Sequence, residues 1–286
     1  MEEITLNDKL FITTNYLKWN GGVTELNVPT RVVREQKIRV TIKNLLDYLL
    51  YRAVKENEEQ IIMSKETFED LIKNDTDLST YKQLKEIEEP KLYKRSRIKP
   101  QFVLDTLKEL TSKDVIEVKT KRYVSFTHLF EVISYDSDLD YLIFRINKNF
   151  IDFISPKDNY KTKYLVDGMV LSSVYSKNLH SFVSYFCDVF KSGKFINGKE
   201  YRMTTFDQIE QYVGIRYNKV ANKYDKETGS YPKSKVVDIL RGCVSEINEK
   251  TRLPEGLGEL DFEVIYGKHN GKAVSLGVRF FFKEVQ

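Results

Sequence analysis

PKSKVVDILRGCVSEINEK, residues 232–250, repeats its apolar side chains at the spacing of an α-helix. Pro232 suits the first helical turn, where its missing N–H costs no hydrogen bond. Residues 262–266 and 273–282 then alternate around His269-Asn270-Gly271, a pattern typical of a β-hairpin. The side of the helix that would face a core consists of Val236, Leu240, Cys243 and Ile247. We therefore predict a long helix followed by a two-stranded hairpin.

Two further helices are predicted upstream in the same half of the chain. Residues 171–191 form an amphipathic pattern, and Thr205 is placed to cap a helix that begins at Phe206. A short strand at 201–204 lies between these helices, and a polar insertion at 216–230 precedes the long helix. Helix, short strand, helix, helix and hairpin is the order of a winged helix-turn-helix.

The first half of the chain repeats this order. Its predicted elements are a helix at 38–56, a short strand at 60–63, a helix capped by Ser64, a helix from Pro100, and strands at 115–119, 123–134 and 141–146. Val103-Leu-Asp105-Thr-Leu107-Lys108 aligns with Val236-Val-Asp238-Ile-Leu240-Arg241, which supports a duplicated unit. We therefore expect an α+β fold of two tandem winged-helix domains related by pseudo-symmetry.

The length of 286 residues accommodates two domains, which we predict at 1–155 and 162–286 with a linker at 155–161. The longest apolar stretches reach about half of the roughly 20 residues that a membrane-spanning helix requires. Residues 1–3, Met-Glu-Glu, differ from the basic start of a secretory signal. We therefore expect a cytoplasmic bacterial protein without a membrane partner.

Metal sites, disulfides and catalytic motifs find little support in the sequence. The two cysteines lie far apart among apolar residues, and the three histidines are widely separated. Residues 193–199, GKFINGK, resemble a phosphate-binding loop, but Glu200 replaces the required Ser or Thr. The His-x-His pair that rolling-circle nicking enzymes share is missing. We expect no cofactor, no nucleotide hydrolysis and no DNA cleavage, and hence no enzyme.

Residues 156–286 carry 21 lysine and arginine residues against 16 acidic ones, a mildly basic balance that fits a polyanion. A recognition helix reads bases with side chains near its N-terminus, and flanking cations contact phosphates. The predicted contacts in the long helix are Lys233, Ser234, Lys235, Asp238, Arg241 and Ser245. Of these, Arg241, Lys233 and Lys235 are expected to face the major groove. The hairpin tip adds Lys268, His269, Asn270 and Lys272, and its lysines are expected to contact phosphates.

A basic run in the first half abuts the helix that begins at Pro100. The predicted contacts there are Lys94, Arg95, Arg97, Lys99, Gln101 and Lys108. A charge run beside a helix-turn-helix favours phosphate contact. The alternative, in both halves, is an ordinary amphipathic surface helix or loop with solvated charges, and the residues alone leave that alternative open.

A family resemblance rests on several short motifs. Leu171-Ser-Ser-Val-Tyr175-Ser176-Lys-Asn-Leu179 resembles the first helix of the second winged-helix domain in theta-type plasmid replication initiators. These are the iteron-binding Rep proteins of plasmids and some phages. The motifs similar to the recognition helix, its exit and the hairpin of that family are Val236-Val-Asp-Ile-Leu240, Glu246-Ile247-Asn248, Thr251, and Lys268–Lys272 with Val278-Arg-Phe280. His180 and the insertion at 216–230 depart from the family pattern.

The resemblance implies a protein that binds double-stranded DNA at directly repeated origin sequences. It further implies a homodimer, held by the first domain, that binds an inverted operator and represses its own gene. Host replication proteins such as a helicase or initiator would be partners when adjacent AT-rich DNA opens. Two alternatives remain: a stand-alone winged-helix transcriptional repressor and, from another class, an origin-nicking or priming enzyme.

Overall fold

The computed structural model describes residues 9–13, 16–19, 36–56, 59–68, 104–105, 107, 116–119, 124–136, 140–148, 151, 160–185, 203–219, 223–226, 228–252, 257–269 and 272–283. The longer helices are α1 (Gln36–Glu56), α2 (Leu165–Val170), α3 (Val174–Tyr185), α4 (Phe206–Val213) and α5 (Lys233–Lys250). The strands of the first half are β1 (Lys9–Thr13), β2 (Tyr16–Trp19), β3 (Gln60–Ser64), β4 (Ile116–Lys119), β5 (Val124–Thr127), β6 (Phe130–Asp136) and β7 (Tyr141–Ile146). Later strands are β8 (Tyr160–Tyr164), β9 (Thr204–Thr205), β10 (Leu260–His269) and β11 (Lys272–Phe282).

Helices and antiparallel strands occupy separate stretches of the chain, which confirms the α+β class. The two halves contain sheets of equivalent order, β3-β7-β6 and β9-β11-β10. In each sheet, the short strand that follows a long helix pairs with the second strand of a hairpin. Ile61 lies opposite Phe144 in the first sheet, and Thr204 lies opposite Val278 in the second.

The strand predicted at 123–134 is wrong, because the structure divides it between two sheets. β5 pairs with β4 in a sheet that β2 completes, whereas β6 pairs with β7. The break falls at His128 and Leu129, where the buried Leu129 accepts a hydrogen bond from the Asn147 N–H at 2.9 Å. Apolar alternation continues across this break, so the sequence pattern could not reveal it.

The predicted linker at 155–161 is also too long at its C-terminal end. Tyr160 and Lys161 belong to β8, which pairs antiparallel with β1 near the start of the chain. A local pattern cannot reveal a strand whose partner lies about 150 residues away. The domain limits 1–155 and 162–286 stay a prediction, and the β1–β8 ladder joins strands from the two sides of the predicted linker.

Two hydrophobic cores organise the described residues. The first surrounds α1 and includes Leu45, Leu46, Leu49, Ile61, Leu107 and Phe144. The second lies among α3, α4, α5 and the β10–β11 hairpin and includes Leu179, Phe206, Ile209, Leu240 and Phe280. Leu107 and Leu240 are fully buried while Asp105 and Asp238 are exposed. The aligned segments of the two halves therefore agree in burial at these two positions, whereas Leu104 is only partly buried and its counterpart Val237 is buried.

Buried polar contacts connect the two halves. Lys177 of α3 has no exposed surface, and its Nζ donates hydrogen bonds to Asn44 Oδ1 of α1 at 2.6 Å and to the Gly168 carbonyl of α2. Arg252 Nε, just after α5, donates to the buried Asp167 of α2 at 3.1 Å. A buried charge without partners is costly, so the Lys177 contact with Asn44 constrains how α3 packs against α1, whereas the contact between Arg252 and Asp167 lies within the second half. Among the described helices, none is long and apolar enough to cross a bilayer.

Candidate nucleic-acid interface

α4 is fixed at both ends by its own sequence. Thr205 Oγ1 accepts from the Gln208 N–H at 3.2 Å, and Gln208 Oε1 accepts from the Thr205 N–H at 2.9 Å. Gly214 ends the helix with φ of 84°, a left-handed conformation that favours glycine. The predicted cap at Thr205 is thus confirmed. Such a capping box contributes about 1 kcal/mol to a helix that spans two turns.

The two faces of α5 agree with the helical pattern of the sequence. Val236, Leu240, Cys243 and Ile247 are buried, as are Val237 and Val244. Ser234, Lys235, Asp238, Arg241 and Ser245 are exposed. Burial raises the pKa of the Cys243 thiol to about 12, so this cysteine stays protonated and acts as a small core residue.

Lys233, in the first turn of α5, already has neighbours within the protein. Its Nζ donates a hydrogen bond to the Ser275 carbonyl of β11 at 3.0 Å. The same ammonium lies 5.0 Å from the ring centroid of Phe206 and 5.9 Å from that of Tyr217. These cation–π contacts and the hydrogen bond join α4, α5 and the hairpin at one point. A contact between Lys233 and a DNA groove stays a prediction. In this structure, the Lys233 side chain holds α5 against α4 and the hairpin.

Arg241 lies in an acidic environment halfway along α5. It forms an ion pair with Asp238 at 3.0 Å. It also lines an open groove whose other charged residues are Glu249, Glu259, Asp261 and Lys283. Carboxylates next to a cation reduce its attraction for a polyanion. Base readout by Arg241 stays a prediction, and Ser234 and Lys235 are the exposed contacts nearest the helix start.

β10 and β11 pair antiparallel as the two strands of the predicted hairpin. His269 lies opposite Lys272, and a register shift between Ile265 and Tyr266 leaves Leu276 without a partner in the ladder. Lys268 is exposed, as predicted for a phosphate contact, and Tyr266 is 67 % exposed. The hairpin thus combines an exposed lysine with an exposed aromatic ring.

Gly277 permits the short strand β9 to join the hairpin. A Cβ atom at this position would lie 2.3 Å from the Thr204 carbonyl oxygen, closer than atoms can approach. Because Thr204 and Thr205 lead directly into α4, the absent side chain at Gly277 lets the residues before α4 lie against β11. This requirement was not predicted from the sequence, since no local pattern indicates it.

All six predicted contacts of the first half fall outside the described residues. They are Lys94, Arg95, Arg97, Lys99, Gln101 and Lys108. Asn270 also lies outside them, as do the side chains of His269 and Lys272. The described residues contain no group of three or more His, Cys, Asp or Glu side chains that could hold a metal ion.

The motifs that carry the family resemblance form a hydrogen-bond network in the second half. The Ser172 N–H and hydroxyl both donate to Glu246 Oε1 at 2.6 Å. The Asn248 amide donates to the Leu260 carbonyl and accepts from the Leu260 N–H. The Thr251 hydroxyl donates to the Ile247 carbonyl at 2.8 Å. The network therefore connects the C-terminal end of α5 to the residues before α3 and to β10. These motif residues thus stabilise the packing of the second half.

Glu246 is ionised within this network. Burial by itself would raise the pKa of its carboxyl. Hydrogen bonds from Ser172, Ser176 and Lys250 outweigh burial and hold that pKa below its ordinary value. A charged Glu246 is thus the acceptor that several donors share.

Comparisons with known proteins yield a likeness of fold. Neither a family model nor a curated protein matches the chain. The chain nevertheless has the fold of a DNA replication initiator, as the resemblance to theta-type plasmid initiators led us to expect. One similar solved structure is the Pi initiator protein in complex with iteron DNA, with a TM-score of 0.52 and 15 % identity. The match covers 99 % of this chain and 100 % of that one.

Proposed function

We propose that the chain is a plasmid or phage replication initiator that binds repeated origin sequences in double-stranded DNA. The observation that carries this proposal is the likeness of fold over 99 % of the chain to an initiator solved with iteron DNA. The exposed first turns of α5 beside a hairpin with an exposed lysine add physical support, because this combination suits a groove and its flanking phosphates.

We further propose that the halves are two tandem winged-helix domains related by pseudo-symmetry. The equivalent sheet orders and the matching burial of Leu107 and Leu240 support this interpretation. Two such modules in one chain would reach successive major grooves. Their combined binding energy would help to destabilise adjacent AT-rich DNA, to which a host helicase is then loaded.

In the second half, α5 would enter the major groove by its N-terminal turns. Ser234 and Lys235 would meet base edges, and Lys268 would contact a phosphate from the hairpin. Phosphate contacts release counterions, so binding weakens as salt increases. Binding and DNA deformation require no bond-making residue, and we propose that the chain has no catalytic activity.

Autorepression by a homodimer is part of the same proposal. The first unit would provide the dimer contact, and the outer face of its sheet exposes Ile62, Val132 and Tyr141. An exposed apolar face on a sheet is typical of a surface that associates with another protein. A second copy of this chain is the occupant we propose.

Selection from a random duplex library tests the proposed function. We expect one sequence to be enriched and to recur as direct repeats beside an AT-rich stretch near the gene. A single operator without repeats would favour the stand-alone repressor. Strand cleavage of supercoiled origin DNA in the presence of a divalent metal would favour the nicking enzyme instead.

A further inference from the structure

The insertion between α4 and α5, residues 216–231, has no role in the interface described so far. Its described residues are 216–219, 223–226 and 228–231. The segment includes four basic residues, Arg216, Lys219, Lys223 and Lys226, against Asp225 and Glu227. It ends one residue before Pro232, the N-cap of α5, and so borders the helix end that would enter the groove.

The insertion is an ordered element closed by its own hydrogen bonds. The Asn218 N–H donates to the Tyr231 carbonyl at 2.7 Å, and the Tyr231 N–H donates to the Arg216 carbonyl at 2.9 Å. Further along, the Asp225 N–H donates to the Ser230 carbonyl at 2.9 Å. Isolated strand-like bridges pair Tyr217 with Tyr231 and Asp225 with Ser230.

One aromatic contact lies within this element, and a second attaches it to the first residue of α4. The rings of Tyr224 and Tyr231 are 5.1 Å apart, and those of Tyr217 and Phe206 are 5.5 Å apart. Pairs at these separations each contribute about 0.5–1.5 kcal/mol beyond their buried area. Tyr217 also contacts the Lys233 ammonium, so the insertion shares the point at which α4, α5 and the hairpin meet.

The four cations of the insertion fall into two classes. Lys219 pairs with Asp207 at 2.7 Å, and the Arg216 guanidinium donates to the Thr228 carbonyl at 3.2 Å. Lys223 and Lys226 are exposed, and none of the described residues forms an ion pair with either ammonium. The latter two charges are therefore available to a ligand.

We propose that the insertion is a separate DNA-contacting element in which Lys223 and Lys226 bind backbone phosphates beside the groove that α5 enters. The inference rests on the proposed function, because it assumes that the N-terminal turns of α5 face DNA. Two exposed ammonium groups without an ion pair among the described residues, next to a helix that would enter the groove, suit a polyanionic backbone. Phosphates are alike in every sequence, so these contacts add affinity without sequence choice.

The test compares two double variants by binding titration on a repeat duplex and a scrambled duplex at several salt concentrations. Lys223→Ala/Lys226→Ala should weaken binding to both duplexes by roughly tenfold near 0.1 M salt. It should also reduce the magnitude of the slope of log binding constant against log salt concentration (the salt slope) by about two, one for each lost phosphate contact. The matched control, Lys65→Ala/Lys148→Ala, removes the same charge from exposed lysines in the first half and should change the slope little.

Three outcomes would overturn the inference or its basis. An unchanged slope in the insertion variant, with normal binding by the unmodified chain, would overturn the inference alone. A loss on the repeat duplex only would assign these lysines to base readout and overturn the phosphate role. If the unmodified chain bound neither duplex, the proposed function would fail first. Equal melting temperatures for both variants would exclude misfolding as the cause.

Discussion

At the scale of single residues, the structure separates a lysine held by packing from an exposed one. Lys233 and Lys235 lie two positions apart in the first turns of α5. The Lys233 ammonium is held by Ser275 and two aromatic rings, whereas Lys235 is exposed. Helical periodicity predicted both lysines as groove contacts. Periodicity indicates which side of a helix a residue occupies, but it does not show which other elements of the protein pack against that side.

Lys235 should contribute more to sequence choice than Arg241. Lys235→Ala should cost about 1–3 kcal/mol on the repeat duplex and relax discrimination against the scrambled one. Arg241→Ala should cost less, because its guanidinium is already paired with Asp238 in an acidic groove. Titrations of both variants provide the comparison. A larger specific loss for Arg241→Ala would restore it as the base-reading residue.

The pH dependence of stability should report the charge on Glu246. Its folded-state pKa lies below the unfolded value, so the carboxylate stabilises the fold above an ordinary pKa of 4.5. That contribution should be lost as the pH falls from about 5 through the folded-state pKa. Urea unfolding of the unmodified chain and of Glu246→Gln measures it. An equally steep decline in the variant below pH 5 would contradict the assignment.

At the scale of elements, local signals predicted some structures well and others poorly. The long helix, the Thr205 cap and the β10–β11 hairpin were predictable because each depends on residues within a few positions. The division of 123–134 into β5 and β6 and the β1–β8 ladder depend on distant partners. Sequence periodicity carries no information about such partners.

Two glycines of the second half should respond oppositely to substitution by alanine. Gly277→Ala should destabilise the fold by about 1–3 kcal/mol, because the new Cβ would collide with the Thr204 carbonyl. Gly242→Ala should stabilise it by about 0.5–1 kcal/mol, since this helical glycine has open space around it. Urea titration of both variants measures the difference. Tolerance of alanine at Gly277 would show that β9 does not pair as described.

At the scale of the whole molecule, α1, α2 and α3 are joined by the buried Lys177. Asn44→Leu should cost about 1–3 kcal/mol, since the Lys177 ammonium would lose a partner in a dry environment. Adding Lys177→Met should recover part of that loss, because the unsatisfied charge is then removed. A double-mutant cycle in urea measures the coupling. Additive effects of the two substitutions would indicate that the contact does not join the helices.

The candidate site was only partly predictable at this scale. The exposed side of α5 and Lys268 follow from periodicity and from the hairpin turn. The sequence identified the insertion only as a polar segment at 216–230 that departs from a family pattern. The hydrogen bonds between Asn218 and Tyr231 and the contact between the Tyr224 and Tyr231 rings are tertiary features. The acidic groove around Arg241 likewise brings together residues of α5, β10 and the end of β11.

The central claim is that this chain recognises repeated duplex DNA. The most direct measurement is a binding titration against duplexes that carry one, two or three copies of the selected sequence, with a scrambled duplex of equal length. We predict that the number of bound chains increases with the number of copies. We also predict that the affinity for the repeats exceeds that for the scrambled duplex by at least roughly a thousandfold, as for specific DNA-binding proteins. Equal affinity for all duplexes, with no dependence on copy number, would contradict the claim.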